Sequence, residues 1–220
     1  LISNIWYSVV MITKQQIDEH LSALKEYFFI PLKKIFARQE KINNVEDLER
    51  FIQTKSAIIT QQTLYGYLKT RIGTRHVMMF GDEQFSISIN IAKWNIYVVS
   101  IQDFCLYCFS FLARNNLCNN MNLATDVFYR ILDGEKKNGL EESIYQNAIK
   151  DFDERVKSIH WKTYCEGECF EKSSYALYRW APIADELKKL DKSIVIRSME
   201  LKWDNLKKDF TKLIAFHTLG

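Results

Sequence analysis

Residues 63–76 read TLYGYLKTRIGTRH and gather Lys69, Arg71, Arg75 and His76 around Gly73, with threonine hydroxyls alongside. Such a turn suits a phosphate or a carboxylate, because guanidinium groups donate in pairs to oxyanions and turn N–H groups form a positive concavity. Three readings of the cluster stand. The cations can complement the negative end of a helix and hold no ligand, they can form internal ion pairs to carboxylates such as Asp103, or they can hold an external anion. Adding Asp103 gives the candidate ligand-binding set Lys69, Arg71, Arg75, His76 and Asp103.

The thiols offer a second chemistry. Cys105 and Cys108 form C-x-x-C, and Cys165 and Cys169 are four apart, so four sulfurs, with His160 as a further ligand, have the makings of a tetrahedral zinc site. The first pair, however, falls inside an apolar helical run, whereas structural zinc pairs occupy turns that aim both sulfurs at one point. Core packing of a small polarizable side chain explains it better, and neither a metal nor a cofactor is expected. Five cysteines, an odd number without a secretory pattern, place the chain in a reducing, cytoplasmic setting.

Ser22 and Lys25 match the bare S-x-x-K pattern of a lysine-activated serine, but no S-D-N or K-T-G accompanies them, and no G-x-S-x-G occurs. His20, His76, His160 and His217 are scattered without H-E-x-x-H spacing. No residue is therefore assigned a catalytic role, and the sequence leans away from an enzyme.

These groups must be held by helices. Residues 82–116 contain neither Gly nor Pro, and residues 96–113 (IYVVSIQDFCLYCFSFLA) are apolar on nearly every side, the mark of a helix surrounded by other helices. The central helix is expected over about 83–115. Gln102 and Asp103 at its middle argue against a bilayer span, where a carboxylate is costly. Enclosed in protein, the two must be hydrogen-bonded, and pairing of Asp103 with Arg or Lys is favoured over a catalytic base.

Around that element, Leu21, Leu24, Phe28, Leu32 and Ile35 share one helical face, interrupted at Pro31. Asn43 with Glu46 resembles a capping box that opens a long helix running to Gly73. A shorter helix through Leu123 and Leu132 should stop at Gly134, and another runs through Ile144, Phe152 and Ile159. Residues 161–173 lose the period and read as a connection. Pro182 opens a last long helix, whose stripe Ile183, Leu187, Leu190, Ile194 resumes out of phase at Val195, Met199, Trp203, Leu206 and Phe210. That slip predicts a twist or break at residues 193–195.

With seven Gly, two Pro and no sustained alternation, the sequence predicts an all-α fold, an irregular bundle of six or seven helices around the buried central one. Residues 1–12 read as an N-terminal extension and 13–220 as a single all-helical domain. Thirty Lys and Arg against 27 Asp and Glu give a net charge of +3, too small and too evenly spread for nucleic acid. Exposed aromatics at Tyr175, Tyr178 and Trp180 are the candidate partner-binding residues, since Tyr and Trp recur in binding hot spots.

Residues 63–76, SINIAKWNIYVVSIQD at 88–103 and WAPIADELKKLD at 180–191 together resemble an uncharacterised family of small alphaproteobacterial proteins, some of which carry the label esterase. The resemblance covers most of residues 45–210 and transfers no catalytic residue. The sequence thus points first to a cytosolic helical interaction or regulatory protein. The alternative is a binding protein for a small anionic molecule, or an enzyme such as a hydrolase, with a polar pocket near Gly73.

Overall fold

A computed structural model describes residues 41–73, 79 and 82–214. The expected helix before residue 36, with Ser22 and His20, lies outside the described residues, as do Arg75, His76, His217 and residues 1–12. The described residues form six α-helices and one short 3-10 turn, all-α as the sequence predicts.

Helix α1 spans Val45–Ile72. Its cap is displaced by one residue from the sequence expectation: the Asn44 side chain accepts from Asp47 N at 2.7 Å, and Asn43 N donates back to Asp47 at 3.2 Å. The return bond therefore goes to the residue before the cap, not to the N–H of Asn44 itself, a variant of the expected capping box. The helix ends at Gly73, whose φ of 62° suits a residue without Cβ and whose N–H reaches Lys69 O.

Helix α2, Glu83–Arg114, is the expected centre. Over residues 96–113 only Val99 and Phe111 are even partly exposed. The helix is long and apolar enough to cross a membrane, but 89% of its most apolar window is buried against the rest of the chain. Small polar side chains let α1 approach it closely: Thr60 donates to Ser100 Oγ at 3.1 Å, while Ser100 returns its own proton to Ile96 O at 2.8 Å. Further along, Phe104 anchors an aromatic cluster with Trp203, Phe210 and Phe51 at 5.6, 6.2 and 5.7 Å between ring centres. Phe170 stacks on Trp203 at 4.5 Å.

Helix α3 spans Asn122–Lys136 and α4 Glu142–Ser158. The expected stop at Gly134 is not made. Glu135 carries the helix past it, because its buried carboxylate accepts from Tyr97 at 2.7 Å, Gln53 at 2.9 Å and Asn138 at 2.8 Å. The turn falls instead at Gly139, with φ of 96°. The connection after α4 contains the 3-10 turn Tyr164–Glu166, and α5, Glu171–Trp180, begins inside the stretch read as loop.

Helix α6 runs unbroken from Asp185 to Leu213, so the expected break at residues 193–195 is absent, and Pro182 precedes the helix rather than opening it. The slip in the pattern has another cause. Val195, Met199, Trp203, Leu206 and Phe210 face the core, whereas Leu187, Leu190 and Ile194 belong to a separate stripe on the far side. α6 lies antiparallel along α1, joined by Arg71 to Asp191 and by Lys202 to Gln62 at 3.1 Å. At its end Ile42 N donates to Leu213 O at 2.9 Å, and Ile42 pairs in parallel with Ile214.

Candidate functional site

Of the five residues proposed as one ligand set, three are described, and Asp103 does not share a pocket with Lys69 and Arg71. Lys69 is exposed at the end of α1. Arg71 forms a two-pronged ion pair with the buried Asp191, which also accepts from Tyr67 at 3.0 Å, so this cation ties α1 to α6. Arg75 and His76 lie outside the described residues. Asp103 is fully buried near the middle of α2 and has different partners altogether.

Asp103 Oδ1 accepts from Arg155 Nη2 at 2.5 Å, and Oδ2 accepts from Ser173 N at 2.7 Å. Ser173 is in the first turn of α5, a helix without a side-chain cap of its own. Asp103 therefore caps α5 from a neighbouring helix, placing negative charge at the positive end of its dipole. Arg155, on α4, also donates to Gln102 at 3.0 Å and to the Tyr164 hydroxyl at 3.1 Å. Gln102 donates to Ala148 O at 2.9 Å, and Tyr164 to Cys169 O at 3.1 Å. Burial pushes the Asp103 carboxyl above its ordinary value, opposed by Arg155 and Ser173. Burial also works against the Arg155 charge, but Asp103 and Tyr164 more than offset this and hold its pKa above the usual value.

A cleft of about 470 Å³ opens over this network, lined by Arg155, His160, Thr163, Tyr164, Glu168 and Lys172 among others. Its volume suits a small molecule. Its chemistry is largely committed: both terminal nitrogens of Arg155 are bonded internally, and His160 Nδ1 lies 3.0 Å from Thr163 Oγ1. The Cys169 thiol in its wall is pushed up to about 11 by burial, so it is protonated near neutrality and a poor nucleophile.

Cys105 and Cys108 are buried, with the Cys105 thiol directed at Ala124 O at 3.4 Å. Among the described residues no three His, Cys, Asp or Glu side chains come together as a metal site. Of the aromatic trio, Tyr175 and Trp180 are exposed, while Tyr178 is half-buried against the core. Lys192 on α6 lies over the rings of Tyr175 and Tyr178 at 5.1 and 5.8 Å, so the pair already has a cation from its own chain.

The feature that sequence reasoning missed is on the outer side of α6. Leu187, Leu190, Ile194 and Leu201 are 40, 74, 70 and 49% exposed. At 100° per residue these four fall within one narrow stripe, roughly opposite the stripe that packs on α2. The signal was present in the phase slip at Ile194 and Val195, which marks a helix apolar on two faces. No model of a known protein family matches the chain, and neither do the curated proteins or the solved structures.

Proposed function

We propose that the chain is a cytosolic helical interaction or regulatory protein, and that the outward stripe of α6 is where it receives an amphipathic helix. The observation that carries this reading is the exposure of Leu190 and Ile194, two large aliphatic side chains one turn apart on a helix whose other face is already buried. Isolated apolar residues on a surface need no explanation, but four at spacings of three, four and seven form the ridge into which a partner helix packs. The alternative, a small anionic ligand near the Gly73 turn, draws on Lys69, Arg71, Arg75, His76 and Asp103; of these Arg71 is occupied by Asp191 and Asp103 by Arg155, both of the same chain, and Arg75 and His76 lie outside the described residues.

The test is affinity capture from the native cell with the full chain and with its Ile194→Glu variant. A protein recovered by the first and lost from the second is expected. Identical recovered sets from both would remove the stripe as a docking surface.

A further inference from the structure

We propose that Cys165 is an oxidation site and Cys169 its resolving thiol, the two closing into a reversible disulfide when the chain meets a hydroperoxide. Neither thiol belongs to the α6 stripe, and among the described residues neither helps to form a metal site. The two differ in the way a redox pair requires. Cys165 is partly exposed in the 3-10 turn Tyr164–Glu166, whereas Cys169 is buried. A sensing thiol must meet its oxidant, and a resolving thiol must stand next to it.

The backbone brings them together. Gly167 N donates to Tyr164 O at 3.1 Å, turning the chain back between the two cysteines, and the Cys169 thiol donates to that same carbonyl at 2.9 Å and to Gly167 O at 3.3 Å. A carbonyl oxygen and the next Cα are about 2.8 Å apart across a trans peptide, so the Cys169 sulfur lies within roughly 6 Å of the Cys165 Cα. At that range closure asks for a rotation of the Cys165 side chain and a small adjustment of the turn, not for the movement of a helix. The turn itself is anchored, since Cys165 N donates to Ser110 Oγ on α2 at 2.8 Å. Each sulfur also has a cation nearby. Arg114, paired with Glu166, donates to the Cys165 side chain. At Cys169 burial pushes the thiol up, and Lys207 works against that effect. Both cations are placed to hold negative charge that develops on sulfur during attack.

In the first step the Cys165 sulfur attacks the O–O bond of the peroxide, an S–O bond forms, and with hydrogen peroxide one water leaves, giving a sulfenic acid. The Cys169 sulfur then attacks the oxidised sulfur, the S–O bond breaks, and the hydroxyl leaves as water with the Cys169 proton. Two electrons pass from the thiol pair to the peroxide. In a reducing compartment such a bond is transient, reopened by exchange with a small thiol. Cys169 immediately precedes Phe170, which stacks on Trp203, and its carbonyl accepts from the Tyr164 hydroxyl beside Arg155. Drawing its sulfur off the Tyr164 carbonyl therefore acts where α5 meets the core.

The experiment treats the full chain with hydrogen peroxide at a dose that leaves Cys105, Cys108 and Cys118 as free thiols, alkylates it after denaturation and maps tryptic peptides. Cleavage after Lys162 and Lys172 puts both cysteines in one peptide, residues 163–172. That peptide is expected without alkyl groups and lighter by two hydrogens, and doubly alkylated when a reductant precedes the alkylation. In Cys169→Ser the oxidised Cys165 should persist as a sulfenic acid that dimedone captures. In Cys165→Ser, oxidation of Cys169 should slow by about tenfold or more, because the buried thiol then has no exposed neighbour to react first. A peptide still carrying both alkyl groups after peroxide, a Cys165 sulfur joined to a second copy, or oxidation of Cys169 at an unchanged rate in Cys165→Ser would overturn the inference. The peptide from the unsubstituted chain decides the matter even where a cysteine substitution unsettles folding.

Discussion

Around Arg155, four segments of the chain meet through polar groups that have found partners: Asp103 and Gln102 from α2, Ala148 and Arg155 from α4, Tyr164 from the connection, and Ser173 from α5. On the outer side of α6, the four aliphatic side chains of Leu187, Leu190, Ile194 and Leu201 meet nothing comparable among the described residues. The first region looks like a site because it is charged, concave and roomy, and its groups spend their bonding capacity on holding helices together. The second has no chemistry to offer, and its only available interaction is with another apolar surface. Burial of charge demands internal satisfaction, whereas exposure of apolar area leaves a free energy of association available.

The sharpest way to break that contrast is at Asp103. Replacing it by Ala leaves Arg155 buried without its counter-charge and removes the cap of α5, and the expected loss is about 3–5 kcal/mol of unfolding free energy. Denaturant titration reads this directly. The double replacement Asp103→Leu with Arg155→Met should recover most of the loss, since a buried pair exchanged for apolar groups is often neutral. If the double variant were as weak as the single one, the network would have a role beyond fastening.

Two neighbours on α6 give the next largest effect. Val195→Ala removes packing from the core and should cost about 2 kcal/mol, while Ile194→Glu should leave unfolding of the α1–α6 core within about 0.5 kcal/mol. Comparable losses at both positions would mean that the outward stripe contributes to folding of the body.

Much of this architecture was legible in the sequence. The central helix announced itself through residues 96–113, since few soluble environments other than a helical core accept that pattern. Pairing of Asp103 with an Arg or Lys also followed from burial, although the sequence does not show which cation is nearby. Arg155 is fifty-two positions away, and no local rule connects the two. The cap at Asn44 and the run past Gly134 were missed because each depends on contacts, Asp47 in one and the Glu135 hydrogen bonds in the other, that outweigh residue preference. The stripe on α6 was visible only as a break in rhythm. A break and a second face produce the same slip in a one-dimensional pattern, and three dimensions separate them.

The smallest expected effect concerns the thiols. In the folded protein Cys165, which is partly exposed, should be alkylated first, and Cys105 and Cys108 only on global unfolding. Cys169 is pushed up to about 11 from an ordinary 9.0, so its contribution to stability is complete below pH 9 and declines as pH rises towards 11, because the unfolded thiol ionises first. A denaturation midpoint that stayed flat across that window would place Cys169 in a wetter setting than its 2% exposure indicates.

The bond from Ile42 to the carbonyl of Leu213 makes one amide proton a clock for the whole last helix. Its exchange with deuterium requires the final turn of α6 to let go. Anything that grips that helix along its length should slow the exchange, and anything that pries it away should speed it, so the single resonance of Ile42 reports on events at a helix end more than 170 positions away in the sequence.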